Sequence, residues 1–161
     1  MPPMLNAKQA KLGKAAALAT LIAVPAEGLR QYAYYDPPGI LTVCYGSTTN
    51  VQKGVKYSLE ECIARLDKDM GFAISQVDAC VPGLPVEVLA AFGDAVYNLG
   101  PTVACNKTKS TAARKLAARD YSGACYELPK WNKARVLGVM IELPGLTTRR
   151  FKEKELCISG L

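Results

Sequence analysis

Residues 26–48 read AEGLRQYAYYDPPGILTVCYGST. At their centre Asp36-Pro37-Pro38-Gly39 is a turn signal. The flanking segments Tyr32–Tyr35 and Ile40–Tyr45 mix aromatic and β-branched residues, which predicts two short strands joined by that turn. Three side chains of the stretch carry chemistry: Glu27 ahead of the first strand, Asp36 in the turn and Thr42 on the outgoing strand. A carboxyl before a hairpin and another within its turn can face each other across a cleft. Two carboxyls so placed suit glycoside hydrolysis, in which one protonates the leaving oxygen and the other assists attack. The plain alternative is that Asp36 caps its own turn and Glu27 is solvated.

Downstream of a loop at Asn50–Gly54 the pattern turns helical. Ser58-Leu-Glu-Glu61 has the form of a capping box, followed by Leu59, Cys62, Ile63, Leu66 and Met70 at helical spacing. After VPGLP (Val81–Pro85), Pro85 can open a second helix whose stripe is Val88, Leu89, Phe92, Val96 and Tyr97, closed by Gly100. Shorter helices are expected over Ser110–Ala118, Ser122–Glu127 and Thr147–Cys157, with Pro129 and Pro144 as breakers. A small β lobe set early in an otherwise helical domain makes the class α+β.

Upstream, Lys8, Lys11 and Lys14 precede the apolar run AAALATLIAV, Ala15–Val24. Positive charge followed by an apolar run has the form of a secretory signal or a weak membrane anchor. Ten clean apolar residues fall short of the roughly 20 that make a stable span. The other reading is a first helix docked on the core by its apolar face.

The chain has 161 residues, enough for one domain with a real core. It carries 20 basic against 14 acidic residues, net +6, a balance that favours an anionic partner. It has no histidine, which excludes Ser-His-Asp and Cys-His nucleophile systems and most zinc sites. The six cysteines, Cys44, Cys62, Cys80, Cys105, Cys125 and Cys157, lie at least 18 positions apart, so no CxxC pair exists. An even, scattered set suits disulfides in an oxidising compartment, though six reduced core thiols are the alternative.

The spacing Glu, eight residues, Asp, five residues, Thr falls on Glu27, Asp36 and Thr42 without insertion. It resembles the active-site segment of phage-type lysozymes, glycoside hydrolase family 24. The resemblance continues in order along TVCYG (Thr42–Gly46), YSLEEC…LDKD (Tyr57–Asp69), AVYNLG (Ala95–Gly100) and STAARKL (Ser110–Leu116). It closes with GAC (Gly123–Cys125), Trp131 and GLTTRRFKEKELC (Gly145–Cys157). The MPP opening and the basic, alanine-rich segment after it are similar to signal-anchor-release endolysins.

The resemblance implies an α+β lysozyme-like fold in a single domain, 1–161. Residues 1–25 would be the N-terminal segment, 26–57 the β lobe and 58–161 the helical lobe, with the cleft between lobes. It implies Glu27 as general acid, which has to hold a proton at working pH, Asp36 as the ionised partner and Thr42 as the residue orienting water. Arg149, or its neighbour Arg150, would approach Glu27 from the last helix, and Asn98 would tighten the interlobe helix by hydrogen bonding. The cysteines, in their order along the fold, would pair Cys44 with Cys62, Cys80 with Cys105 and Cys125 with Cys157. Peptidoglycan is the implied partner, with transient inner-membrane association through the N-terminal segment. A monomer is expected, with no nucleic acid, no metal and no cofactor. The implied location is the host periplasm after export, with the host cytoplasm until holin release as the alternative.

Two positions depart from the pattern. Ser47 replaces a histidine common in the family, and Pro25 is expected to break the first helix at Val24 and restart it. A lytic transglycosylase, an inactive wall-binding module and a membrane-disrupting protein are the competing functions.

Overall fold

The computed structural model describes residues 4–161. The Met1-Pro2-Pro3 opening included in the family resemblance lies outside the described residues. The first helix, α1 (Ala7–Glu27), starts at a capping box in which Asn6 and Gln9 satisfy each other's backbone N–H groups. It buries Ala15, Ala19, Ile22 and Ala23, one face of small residues that packs closely on the central helix.

The expected break at Val24 does not occur: α1 runs through Pro25 to Glu27. Proline removes one backbone bond, to the carbonyl of Leu21, and Leu21 is 73% exposed, so that side of the helix is open to water. The Gly28 N–H then donates to the Val24 carbonyl at 2.9 Å and closes the last turn. Among the described residues no helix is long and apolar enough to cross a membrane.

Strands β1 (Arg30–Tyr35) and β2 (Leu41–Cys44) pair antiparallel, with Tyr34 opposite Thr42 and Tyr35 opposite Leu41. A bulge lies between Arg30 and Tyr34. Helix α2 (Leu59–Cys80) begins at the expected Ser58–Glu61 capping box. Helix α3 (Val86–Leu99) holds more than a stripe: every residue from Val88 to Val96 is buried, because α1, α2 and the last helix all pack on it.

Three short helices follow: α4 (Thr102–Cys105), α5 (Thr111–Ala117) capped by Ser110, and α6 (Tyr121–Glu127) capped by Asp120. Pro129 sits in a 3₁₀ turn, Leu128–Lys130. A second hairpin, β3 (Lys133–Val136) and β4 (Val139–Glu142), was not anticipated. Its two-residue turn places Leu137 and Gly138 at φ 50° and 81°, a geometry whose usual sequence signal is Asn-Gly. Helix α7 (Pro144–Ser159) starts three residues before the expected Thr147, since Pro144 initiates it rather than breaking it.

All six cysteines are paired as Cys44–Cys62, Cys80–Cys105 and Cys125–Cys157. The first ties the end of β2 to α2 within a small core shared with Val43 and Tyr57. The last joins α6 to α7 inside the main core.

Candidate active site

Glu27 is the final residue of α1, and its carboxyl meets α7 across the fold. Arg149 Nη1 donates to Glu27 Oε1. The same guanidinium donates through Nε and Nη2 to both oxygens of Asp94 on α3, at 2.9 and 2.8 Å. Arg149 is 3% exposed and Asp94 fully buried, so this forked pair is dry. Burial alone would push the Asp94 carboxyl up, but the charge and hydrogen bonds of Arg149 hold it below its ordinary value. Burial would likewise lower Arg149; Asp94 first, then Glu27, hold it above.

Gly46 passes directly over Glu27. It has φ 84°, and a Cβ built there would lie 2.8 Å from Glu27 Cδ, so only glycine fits this approach. The loop is set in place from both sides. Cys44, itself at φ 62°, is bonded to Cys62, and the Tyr97 hydroxyl donates to the Tyr45 carbonyl. Burial, aided by the charge on Glu27, keeps the Tyr97 phenol protonated well past its ordinary range.

A cavity of about 680 Å³ opens in front of Glu27. Asp36 faces it from the β1–β2 turn, Asn98 from the end of α3 and Arg149 from α7. Lys133 and Arg135 of the second hairpin form a basic wall, and Arg30 lies near Glu27. Asp36 also caps its own turn, since its Oδ1 accepts from the Ile40 N–H at 2.7 Å. Capping the turn and facing the cavity are therefore compatible for this residue.

Thr42 is not among the cavity-lining residues. It is 2% exposed, and its hydroxyl donates to the Ile40 carbonyl at 2.8 Å. Asn98 departs from its expected bracing role, because its buried Oδ1 has no hydrogen-bond partner and the residue faces the cavity instead. Arg149, not Arg150, reaches Glu27; Arg150 donates to Glu153 at 2.6 and 2.7 Å. Ser47 is buried, and its hydroxyl accepts from Arg65 Nη1 at 3.0 Å. Arg65 also donates to the carbonyls of Thr49 and Asn50, so an arginine from α2 braces the loop around Ser47.

Sequence reasoning missed Asp94, the hydroxyl of Tyr97 and Gly46. Asp94 had a signal: a lone charge in AAFGDAV, a helix too apolar on every side to leave it in water.

Residues 25–153 match the family model described as phage lysozyme. The chain belongs to the phage lysozyme family, the lytic enzymes of phage endolysin type. It is 34% identical over 170 residues to the SAR-endolysin of Enterobacteria phage P21, covering 99% of both chains. It is 36% identical over 136 residues to the SAR-endolysin of Bacteriophage PS34, across 83% of this chain and 77% of that one. Among solved structures, the active form of P1 phage endolysin Lyz superposes with a TM-score of 0.76 at 20% identity, over 99% of this chain and 97% of that one. The muramidase domain of SpmX from Asticaccaulis excentricus superposes with a TM-score of 0.74 at 26% identity, over 88% and 95%. The expected lysozyme-like α+β fold is the fold observed.

Proposed function

We propose that the protein is a muramidase that hydrolyses the β-1,4 bond between N-acetylmuramic acid and N-acetylglucosamine of peptidoglycan during host lysis. The observation that carries this reading is the convergence of Glu27 and Asp36 on one cavity from separate elements, with Arg149 fixing the first. Glu27 protonates the glycosidic oxygen. Asp36 stays ionised and assists the attacking water. Thr42 keeps an accepting lone pair beside this turn, and its assignment to water orientation rests on its place in the family pattern. The cations Arg30, Lys133 and Arg135 suit an anionic polymer, and Asn98 adds a polar side chain to the cavity wall.

Glu27→Gln tests the assignment. It keeps the shape but cannot supply the proton, and general acid catalysis is worth about 10²–10⁴-fold. Clearing of chloroform-treated Gram-negative cells is expected to fall on that order with the circular dichroism spectrum unchanged. Near-normal clearing by the folded variant removes Glu27 from the mechanism. Reducing-end products support hydrolysis; anhydro sugar ends assign a transglycosylase instead.

A second part of the proposal concerns control. Relatives named SAR-endolysins match the chain, and here α1 both follows the basic N-terminal stretch and carries Glu27 at its end. Held in the inner membrane, this segment withdraws the acid from Asp36; released to the periplasm, it docks through its alanine face and delivers it. No cysteine precedes Cys44, so a thiol cage from this segment is not available. Ala15–Val24 has half the apolar length of a stable span, about 20 residues, which suits escape. Expression without a holin, followed by fractionation, decides it. Membrane-bound or periplasmic protein is expected; wholly cytosolic protein with free thiols overturns the switch.

A further inference from the structure

Only one face of the second hairpin belongs to the cavity. Lys133, Arg135 and Met140 share that face, while Val136, Val139 and Ile141 lie on the opposite one and line no part of the cavity. The two strands pack mainly on each other. The hairpin is thus an arm held at its base, where the Leu143 N–H donates to the Asn132 carbonyl at 3.1 Å.

The arm is graded from tip to base. Leu137 forms the tip and is 98% exposed, at φ 50° in a turn whose central positions favour Asn, Asp or Gly. Neither backbone conformation nor burial in the fold explains a leucine there. The first rung behind it is Val136 opposite Val139, and the second is Arg135 opposite Met140. Val139, Met140 and Ile141 are all exposed, so apolar groups surround the tip on both faces. Cations begin at the second rung. Arg135 Nη1 is fastened to the Gly138 carbonyl at 3.1 Å, and Lys133 follows two residues back. The one acid of the hairpin, Glu142, is at its base.

We propose that this tip is a membrane wedge: Leu137, Val136 and Val139 enter the interfacial layer of an anionic phospholipid bilayer, and Arg135 and Lys133 bind its phosphates. The proposal does not rest on the assignment of Glu27. Two rungs of antiparallel strand reach about 7 Å, which matches the roughly 5–10 Å by which interfacial elements bury their apolar side. The cationic collar then meets the headgroups, and the chain's net charge of +6 favours the same surface. A second copy fits less well. Ten residues of hairpin cannot supply the roughly 800 Å² per partner of a stable interface, and Arg135 and Lys133 would meet their own like. A small ligand needs a concave site, whereas this tip is convex. With the tip in the bilayer, the cavity that the hairpin walls opens beside the membrane surface.

The test is co-sedimentation of the full chain with phosphatidylglycerol/phosphatidylethanolamine vesicles at physiological ionic strength. Every comparison leaves α1 intact. Wild type is expected to bind these vesicles, and to bind phosphatidylcholine vesicles more weakly. Leu137→Asn gives the turn a residue it favours and removes the apolar tip. It should melt no lower than wild type, clear chloroform-treated cells at the wild-type rate, and lose about tenfold in vesicle affinity. Leu137→Trp keeps an apolar tip. It should bind at least as tightly as wild type, with emission beyond that of Trp131 shifting to the blue when vesicles are added. Equal affinity of wild type and folded Leu137→Asn, equal binding to both vesicle types, or an unshifted Leu137→Trp spectrum overturns the wedge. So does a dimer in sedimentation velocity that Leu137→Asn dissolves, since that result assigns the tip to a second copy.

Discussion

Gly46→Ala is the most discriminating single change that the site offers. At φ 84° an L side chain costs roughly 1–2 kcal/mol in the left-handed region. For a chain of this size each kcal/mol lowers the melting point by about 2–4 °C, so the variant is expected to melt roughly 2–8 °C lower. The added methyl also meets the proposed catalytic acid, 2.8 Å from Glu27 Cδ where ordinary contact begins at 3.4 Å. Glu27 or the loop must give by the difference, about 0.6 Å. A displacement of 1 Å costs about 10²-fold, so a loss near tenfold in wall clearing is expected. Gly54→Ala separates the two effects: φ is 76° there and nothing lies within 4 Å of the new methyl. It should melt lower by the backbone cost alone, by no more than Gly46→Ala, yet clear walls at the wild-type rate per folded molecule. Equal activity in the two variants would refute the contact between the loop and Glu27.

Arg149→Met strands Asp94 and Glu27 without their shared cation; a broken buried pair costs about 3–5 kcal/mol, to be read from urea denaturation together with loss of clearing. Asp94, held low by its partner, contributes stability that is present above the ordinary carboxylate range and lost as pH falls through its folded value. Melting curves on the acid side should therefore decline more steeply for wild type than for Asp94→Asn. Replacing Cys125 and Cys157 together by serine should cost about 2–4 kcal/mol in denaturant without touching the cavity. With a net charge of +6, binding to isolated walls should weaken between low and physiological ionic strength; a flat response removes the basic surface from binding.

Local chemistry made much of this molecule legible before any coordinates. Asp36-Pro-Pro-Gly39 encodes its own turn, Ser58 and Glu61 encode a helix start, and each is satisfied within a few residues. What stayed hidden depended on partners distant in sequence. Pro25 reads as a breaker, yet packing of the alanine face on α3 carries α1 through it. The second hairpin was concealed because Leu137-Gly138 lacks the Asn or Asp that announces such a turn. Asp94 and Arg149 belong to different helices, and nothing in either segment announces the other. Asn98 was read as a brace because the family pattern places it on the interlobe helix. Only the folded chain shows that its buried oxygen has no partner and that the residue lines the cavity.

The pair between Glu27 and Arg149 spans 122 positions of chain. During synthesis the acid leaves the ribosome early, while the cation that fixes it comes in the last helix, and Cys157, which anchors that helix to α6, comes later still. An interrupted translation product therefore carries an acid with nothing to aim it and a core missing the wall supplied by α7. Under the proposed function, chains that stop before Arg149 are expected to clear no cell walls.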